Sequence, residues 1–207
     1  MSDIEDELTA GYRRFRADHW PTARAEYETL ATKGQKPHTL IVACSDSRAD
    51  PALIFDAKPG ELFVVRNVAN LVPPYEPDGK LHGVSAALEF GVKVLGVKRI
   101  VVMGHAHCGG VNAMIHSAPD IVADFVGPWI AQGTPVVQHV AETVAPDQLE
   151  RAAEEAIVRL SIRNLRTFPW IAEREAKGEL QLSGLHFGIA EGALTALTDK
   201  PRFEPLA

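Results

Sequence analysis

Arg99-Ile100-Val101-Val102-Met103-Gly104 is apolar from Ile100 onward rather than at alternate positions. A strand with one wet face alternates, so this run reads as a strand buried on both faces. Before it, apolar residues recur at Leu81, Val84, Leu88, Val92 and Leu95. Steps of three and four place them on one helical face, and Gly96 suits the end of that helix. Helices alternating with doubly buried strands indicate a parallel sheet. Thr39-Leu40-Ile41-Val42-Ala43-Cys44 reads as another such strand, ending in Ser and Asp. Leu62-Phe63-Val64-Val65-Arg66-Asn67-Val68 reads as a further one, set off by the turn signal Pro59-Gly60. Leu180 to Ile189 predicts the last strand or strand pair. The expected fold is α/β, a mostly parallel central sheet flanked by helices.

Between these runs, Val72 to Gly79 holds Pro73, Pro74 and Pro77 and reads as a loop. Val111 to His116 begins a helix, and Ile121 to Ile130 predicts another despite Pro128. Pro146 to Phe168 predicts a long helix through Ala153, Ala156, Ile157 and Leu160, stopped at Pro169. Residues 1–37 are polar and charged. Glu7 to Thr32 reads as two short helices interrupted at Pro21. This N-terminal helical arm has few apolar anchors of its own, so it is expected to pack on another surface, such as a second subunit. No repeat or interdomain linker divides the rest, and residues 1–207 are read as one domain with 1–37 as its arm.

Composition removes several classes. Of 207 residues, 46% are hydrophobic and 23% charged, which suits a globular protein rather than a disordered one. Twenty-one Lys and Arg stand against 27 Asp and Glu, a net charge of −6, without the basic surplus a nucleic-acid binder shows. The acidic start, Met1-Ser2-Asp3-Ile4-Glu5-Asp6-Glu7, is unlike a secretory signal. No apolar stretch approaches the roughly 18 residues of a membrane span. A cytoplasmic address is expected, with no nucleic-acid and no membrane partner.

The chain has two cysteines, and each lies in a segment that suits metal ligation. Cys44 closes the first strand in Cys44-Ser45-Asp46-Ser47-Arg48, and Cys108 follows the third in Gly104-His105-Ala106-His107-Cys108-Gly109-Gly110. Functional groups of an open parallel sheet gather beyond the carboxyl ends of its strands. If the two strands are neighbours, Cys44, His105 and Cys108 meet at one place. Two thiolates and an imidazole suit Zn²⁺, and three ligands rather than four suit a catalytic ion with one open position. In a reducing compartment this reading is favoured over a disulfide. Each residue has a plainer reading, since buried free cysteines are common as small hydrophobes and a histidine after a strand is often a surface or capping residue. Their joint occurrence at two strand ends outweighs it. Beside the first ligand, Asp46 is placed to ligate or to accept a hydrogen bond from metal-bound hydroxide, and Arg48 is placed to hold that carboxylate bidentately. The alternative is that Asp46 caps the next helix and Arg48 is solvated.

These segments resemble the β-class carbonic anhydrases. Cys44 to Arg48 is similar to that family's first zinc motif and Gly104 to Gly110 to its second. Pro59 to Asn70 lies between them in the right order. The resemblance covers Gly34 to Met114 closely. It implies one zinc per chain on Cys44, His105 and Cys108, with water or hydroxide as fourth ligand. It implies reversible hydration of carbon dioxide to bicarbonate and a proton, with Asp46 and Arg48 as the catalytic dyad. Substrate contacts are implied at Gln35, Phe63, Val68 and the Gly109 amide, with Phe90 standing where many relatives carry Tyr. Ala49 replaces a more usual Val. Ile41 stands where a bicarbonate-gated subgroup carries Trp, so an open site is expected. A homodimer or dimer of dimers is implied, with the site at a subunit interface. Two other readings remain at this point: a related zinc hydrolase acting on CS₂ or COS, and a non-catalytic zinc-stabilised binding module with Asp46 as a fourth ligand.

Overall fold

A computed structural model describes residues 3–116, 123–200 and 202–206. The chain divides into two compact units, Met1–Lys36 and Pro37–Ala207.

The first unit is helical. Helix α1 spans Asp3–Arg14 and α2 spans Trp20–Lys33. The expected break at Pro21 is absent: Phe15–His19 forms a π turn that joins the two helices without leaving helical backbone. Pro21 sits in the first turn of α2. Its missing N–H falls where the ladder has already widened, which is why the chain tolerates it. Phe15, Trp20 and Tyr27 pack against one another, with centroids 5.4 to 6.2 Å apart.

The second unit is the α/β body. Its elements are β1 (Thr39–Cys44), α3 (Pro51–Ile54), β2 (Leu62–Asn67), α4 (Gly83–Glu89) and β3 (Arg99–His105). They continue with α5 (Gly109–His116), α6 (Val126–Ala131), α7 (Thr134–Ala141), α8 (Leu149–Leu165) and α9 (Pro169–Ala176). The chain closes with β4 (Gln181–Gly188), β5 (Ala193–Ala196) and β6 (Glu204–Pro205). The strands form one sheet in the order β2-β1-β3-β4-β5-β6. The first four are mutually parallel, while β5 and β6 add antiparallel.

Period-two geometry explains the unbroken apolar runs. Leu40, Val42, Ile100 and Val102 face one way, into a core with Leu88, Val158, Leu165 and Phe168. Ile41, Ala43, Val101 and Met103 face the other way, with Leu185, Ile54 and Phe55. Both sets are buried, so polar residues occur only at the ends of these two strands. Each such Leu or Ile stabilises the fold by about 1.5–3 kcal/mol relative to exposure.

Helix α8 lies against β3 and β4 because two glycines admit it. A Cβ on Gly104 would stand 2.8 Å from Val158 Cγ2, and one on Gly184 would stand 2.8 Å from Val158 Cγ1. Gly104→Ala and Gly184→Ala are each expected to cost about 1–3 kcal/mol by overpacking. Urea unfolding measures this; unchanged midpoints in both variants would show that α8 does not seat there.

Several expectations change. The helix anticipated from Leu81 begins at Gly83, because His82 is non-helical (φ −120°, ψ 83°), and Leu81 is fully exposed. Beyond Glu89 it widens into a π turn, Phe90–Val94, and ends near Gly96, whose φ is +69°. Residues 121 and 122 of the helix expected over Ile121 to Ile130 lie outside the described residues. The helix seen is α6, with Pro128 in its first turn, where no hydrogen-bonded N–H is needed. The long helix expected over Pro146 to Phe168 is α8, which stops at Leu165, and Pro169 instead starts α9, which was not expected. Helix α7 and strands β5 and β6 were likewise not separated.

Candidate metal centre

Strands β1 and β3 are neighbours, and their carboxyl ends lie together because Ala43 is level with Met103. Cys44 therefore comes beside Gly104 and His105. After His105 the chain turns through His107, whose φ of +55° is unusual for a residue with a Cβ. That turn brings Cys108 back toward the strand ends. The Cys44 and Cys108 sulfurs are 3.9 Å apart. One donor atom from each of Cys44, His105 and Cys108 lies within 4.8 Å of the other two, and all three residues are buried.

The donor chemistry fits a metal ion. His105 Nδ1 is 2.9 Å from the Ala106 carbonyl oxygen, which assigns the ring proton to Nδ1 and leaves a lone pair on Nε2. His105 Nε2 is buried and has no hydrogen-bond partner, an arrangement costly to bury unless something takes that lone pair. The thiols point the same way. The hydrogen bond from Cys108 lowers the pKa of the Cys44 thiol, against the opposing effect of burial. The same bond, with burial, pushes Cys108 upward. Burial opposes charge on His105, yet the Cys44 sulfur, the Ala106 carbonyl and nearby Asp46 outweigh it and raise its pKa. The pair thus parts with one proton readily and keeps the second, which a cation would displace.

Asp46 stands at the rim. Its Oδ1 accepts from the Arg48 backbone N–H at 2.9 Å and from Arg48 Nε at 3.0 Å, and its Oδ2 accepts from Arg48 Nη2 at 2.8 Å. Those bonds hold the carboxyl well below the usual carboxylate range, against a smaller opposing effect of burial. Asp46 Oδ2 is 3.9 Å from His105 Nε2. The helix cap nearby is supplied by Asp50, which accepts from the Ala52 N–H, so Asp46 is free for the arginine.

Two groups escaped the sequence reading. Arg66 on β2 donates to the Cys44 carbonyl at 2.9 Å, the Asp46 carbonyl at 2.6 Å and Asp50 Oδ2 at 2.7 Å. It fastens the loop that carries Cys44, Asp46 and Arg48. An arginine inside an apolar strand run was the available signal. Glu154 and His186 form a buried pair behind Cys108, with Glu154 Oε2 and His186 Nε2 at 2.7 Å. An acidic residue on the inward stripe of α8 was the available signal there.

The expected substrate contacts are distributed unevenly. Val68 lies beside the ligand turn, since a Cβ on Gly110 would stand 2.7 Å from its Cγ1. It lines a cleft of about 550 Å³ with Asn67, Pro73, Leu81, Phe125 and Trp129. Trp129 Nε1 donates to the Val68 carbonyl at 2.8 Å. Gly109, next to Cys108, is exposed at the start of α5. Phe63 and Phe90 stack, with centroids 6.0 Å apart, but they are not at this cluster. Phe63 pairs with Leu40, four residues before the Cys44–Asn67 level, or about 13 Å down the strand. Gln35 is exposed and belongs to the first unit.

Comparison with known proteins agrees with this geometry. A family model described as carbonic anhydrase matches residues 39–194. A carbonic anhydrase of Pseudomonas aeruginosa is 38% identical over 208 aligned positions, covering 98% of this chain and 90% of that protein. The solved structure of the β-carbonic anhydrase CcaA superposes with a TM-score of 0.89 at 29% identity, covering 100% of this chain and 93% of that one. A tetrameric β-carbonic anhydrase of Sordaria macrospora gives a TM-score of 0.72 at 27% identity, covering 94% and 93%.

Proposed function

The chain belongs to the β class of the carbonic anhydrase family, and from the geometry of its strand ends we propose how its residues divide the work. It is a zinc-dependent enzyme that interconverts carbon dioxide and water with bicarbonate and a proton. One observation carries the assignment of the site: Cys44, His105 and Cys108 converge, buried, around an imidazole nitrogen that no protein group satisfies. We assign these three as the residues that hold zinc. When bound there, zinc supplies the Lewis acidity that lets water ionise near neutral pH.

The remaining work falls to the chain itself. Asp46 accepts a hydrogen bond from the attacking water and so aims its lone pair at the substrate carbon. Arg48, bonded to both carboxylate oxygens, keeps Asp46 from turning toward the metal as a further ligand. Arg48 Nη2 also donates to the His107 carbonyl at 3.1 Å, tying the dyad to the turn that carries Cys108. Val68 gives carbon dioxide an apolar wall, and the Gly109 amide is assigned to a substrate oxygen. Gln35 is assigned to the substrate on the resemblance alone. Phe63 and Phe90, remote from their own cluster, are assigned to the centre of a neighbouring subunit.

That last assignment requires an oligomer. A homodimer or dimer of dimers is supported by the tetrameric relative and by exposed Leu8 and Tyr12 on the N-terminal unit, which we assign to packing on a neighbour. Light scattering is expected to give an even multiple of the chain mass; a monomer that hydrates carbon dioxide at full rate would remove Phe63 and Phe90 from the mechanism. Among the described residues no helix is long and apolar enough to cross a membrane. Two free cysteines as ligands favour a reducing, cytoplasmic setting.

Stopped-flow hydration of carbon dioxide on protein of known metal content tests the reading. About one zinc per chain with rapid hydration supports it. Zinc without hydration of carbon dioxide, whether COS or CS₂ is turned over or not, would reject it.

A further inference from the structure

Glu154 projects from the inward stripe of α8 and is 3% exposed, and His186 on β4 is fully buried. A carboxylate so placed is costly unless its oxygens are bonded. Both are: Oε2 meets His186 Nε2 at 2.7 Å, and Oε1 accepts the Cys108 backbone N–H at 3.2 Å. The residue gripped by Glu154 is thus the last zinc ligand, at the end of a turn that needs holding. His107 in that turn has φ +55°, a conformation a residue with a Cβ adopts only when its surroundings impose it. Arg48 fastens the turn from the β1 side through the His107 carbonyl. Glu154 fastens it from the α8 side. His186 lies level with Gly104 in the sheet, where the absent side chain lets α8 approach closely enough for the carboxylate to reach.

We propose that Glu154, braced by His186, is a positioning residue that presets Cys108 for zinc. The proposal rests on the assignment of Cys44, His105 and Cys108 as the zinc ligands. An apolar side chain at 154 would fill the space and keep α8 packed, but would leave the Cys108 N–H unpaired and the turn held from one side. A glutamine would still accept from Cys108, but its amide would donate to His186 only with the ring proton on Nδ1, a buried atom that has no partner, so the brace is weakened.

The test is the rate at which zinc passes from holoenzyme to excess chelating dye, together with the melting temperature of each protein with and without zinc. Glu154→Leu is expected to release zinc about ten- to a hundredfold faster than wild type, and the gap between its zinc-bound and zinc-free melting temperatures is expected to narrow. Glu154→Gln keeps the Cys108 bond and is expected to release zinc more slowly than Glu154→Leu, within about tenfold of wild type. A folded Glu154→Leu protein that holds zinc as long as wild type overturns the proposal, and so does equal acceleration in the Leu and Gln variants. If Glu154→Leu does not fold, His186→Leu decides. It keeps the Cys108 bond but removes the brace, and zinc release at the wild-type rate would be the overturning result. A wild-type chain that takes up no zinc would instead defeat the ligand assignment itself.

Discussion

Cys44→Ala is expected to fold, to retain little zinc, and to hydrate carbon dioxide at least about 10³-fold more slowly than wild type, a loss of about 4 kcal/mol in transition-state stabilisation. Folding should survive because the side chain is small and the backbone is held independently. Arg66 grips the Cys44 carbonyl, and the Ser45 N–H bonds the Asn67 carbonyl at 2.8 Å. Removing the sulfur leaves His105 and Cys108 as a two-donor site, too few to hold the ion against water. Metal analysis and hydration kinetics on one preparation measure both effects. Stoichiometric zinc with fast turnover in this variant would show that Cys44 is not a ligand.

Asp46→Asn is expected to act differently, keeping about one zinc per chain while kcat falls by about 10². The amide has the size of the carboxylate but replaces one acceptor by a donor. It cannot take Arg48 on both atoms and also receive the hydrogen of the attacking water. Hydration within threefold of wild type at full zinc would refute the assigned role. A pH signature accompanies it. Arg48 holds the Asp46 carboxyl well below its usual range, so the folded state favours the ionised form. A depressed carboxyl contributes stability above its unfolded value, about 3.9, and that contribution fades as pH falls through the lower folded value. The wild type should therefore be slightly more stable than Asp46→Asn at neutral pH, with the difference shrinking in acid. It is small because Arg48 is half exposed. Urea midpoints across that range check the sign.

Much of the site was legible in the linear sequence. Cys44 and His105 each end an apolar strand, and strand ends are where a parallel sheet exposes its chemistry. Cys108 follows by a three-residue spacing with two glycines behind it, and Asp46 lies two positions from Arg48, close enough to pair without knowledge of the fold. The parallel order around β1 and β3 followed from runs that could not alternate.

Other features depend on which element lies against which. Leu81 fits the apolar stripe of α4 on paper, yet is exposed because the helix starts two residues later. Phe63 and Phe90 carry the expected residue types, but strand register sets them well below the cluster. Glu154 reaches Cys108 across 46 residues and His186 across 32. Nothing within a helix-length window encodes those approaches. The linear sequence already encodes the parallel sheet, the convergence of Cys44, His105 and Cys108 and the Asp46–Arg48 pair, because strand period, turn residues and short spacings act over a few residues of chain. Only the tertiary structure decided how the ligand turn is braced and which apolar side chains lie near it, because those depend on how closely α8 seats over Gly104 and Gly184, a matter of packing between distant segments.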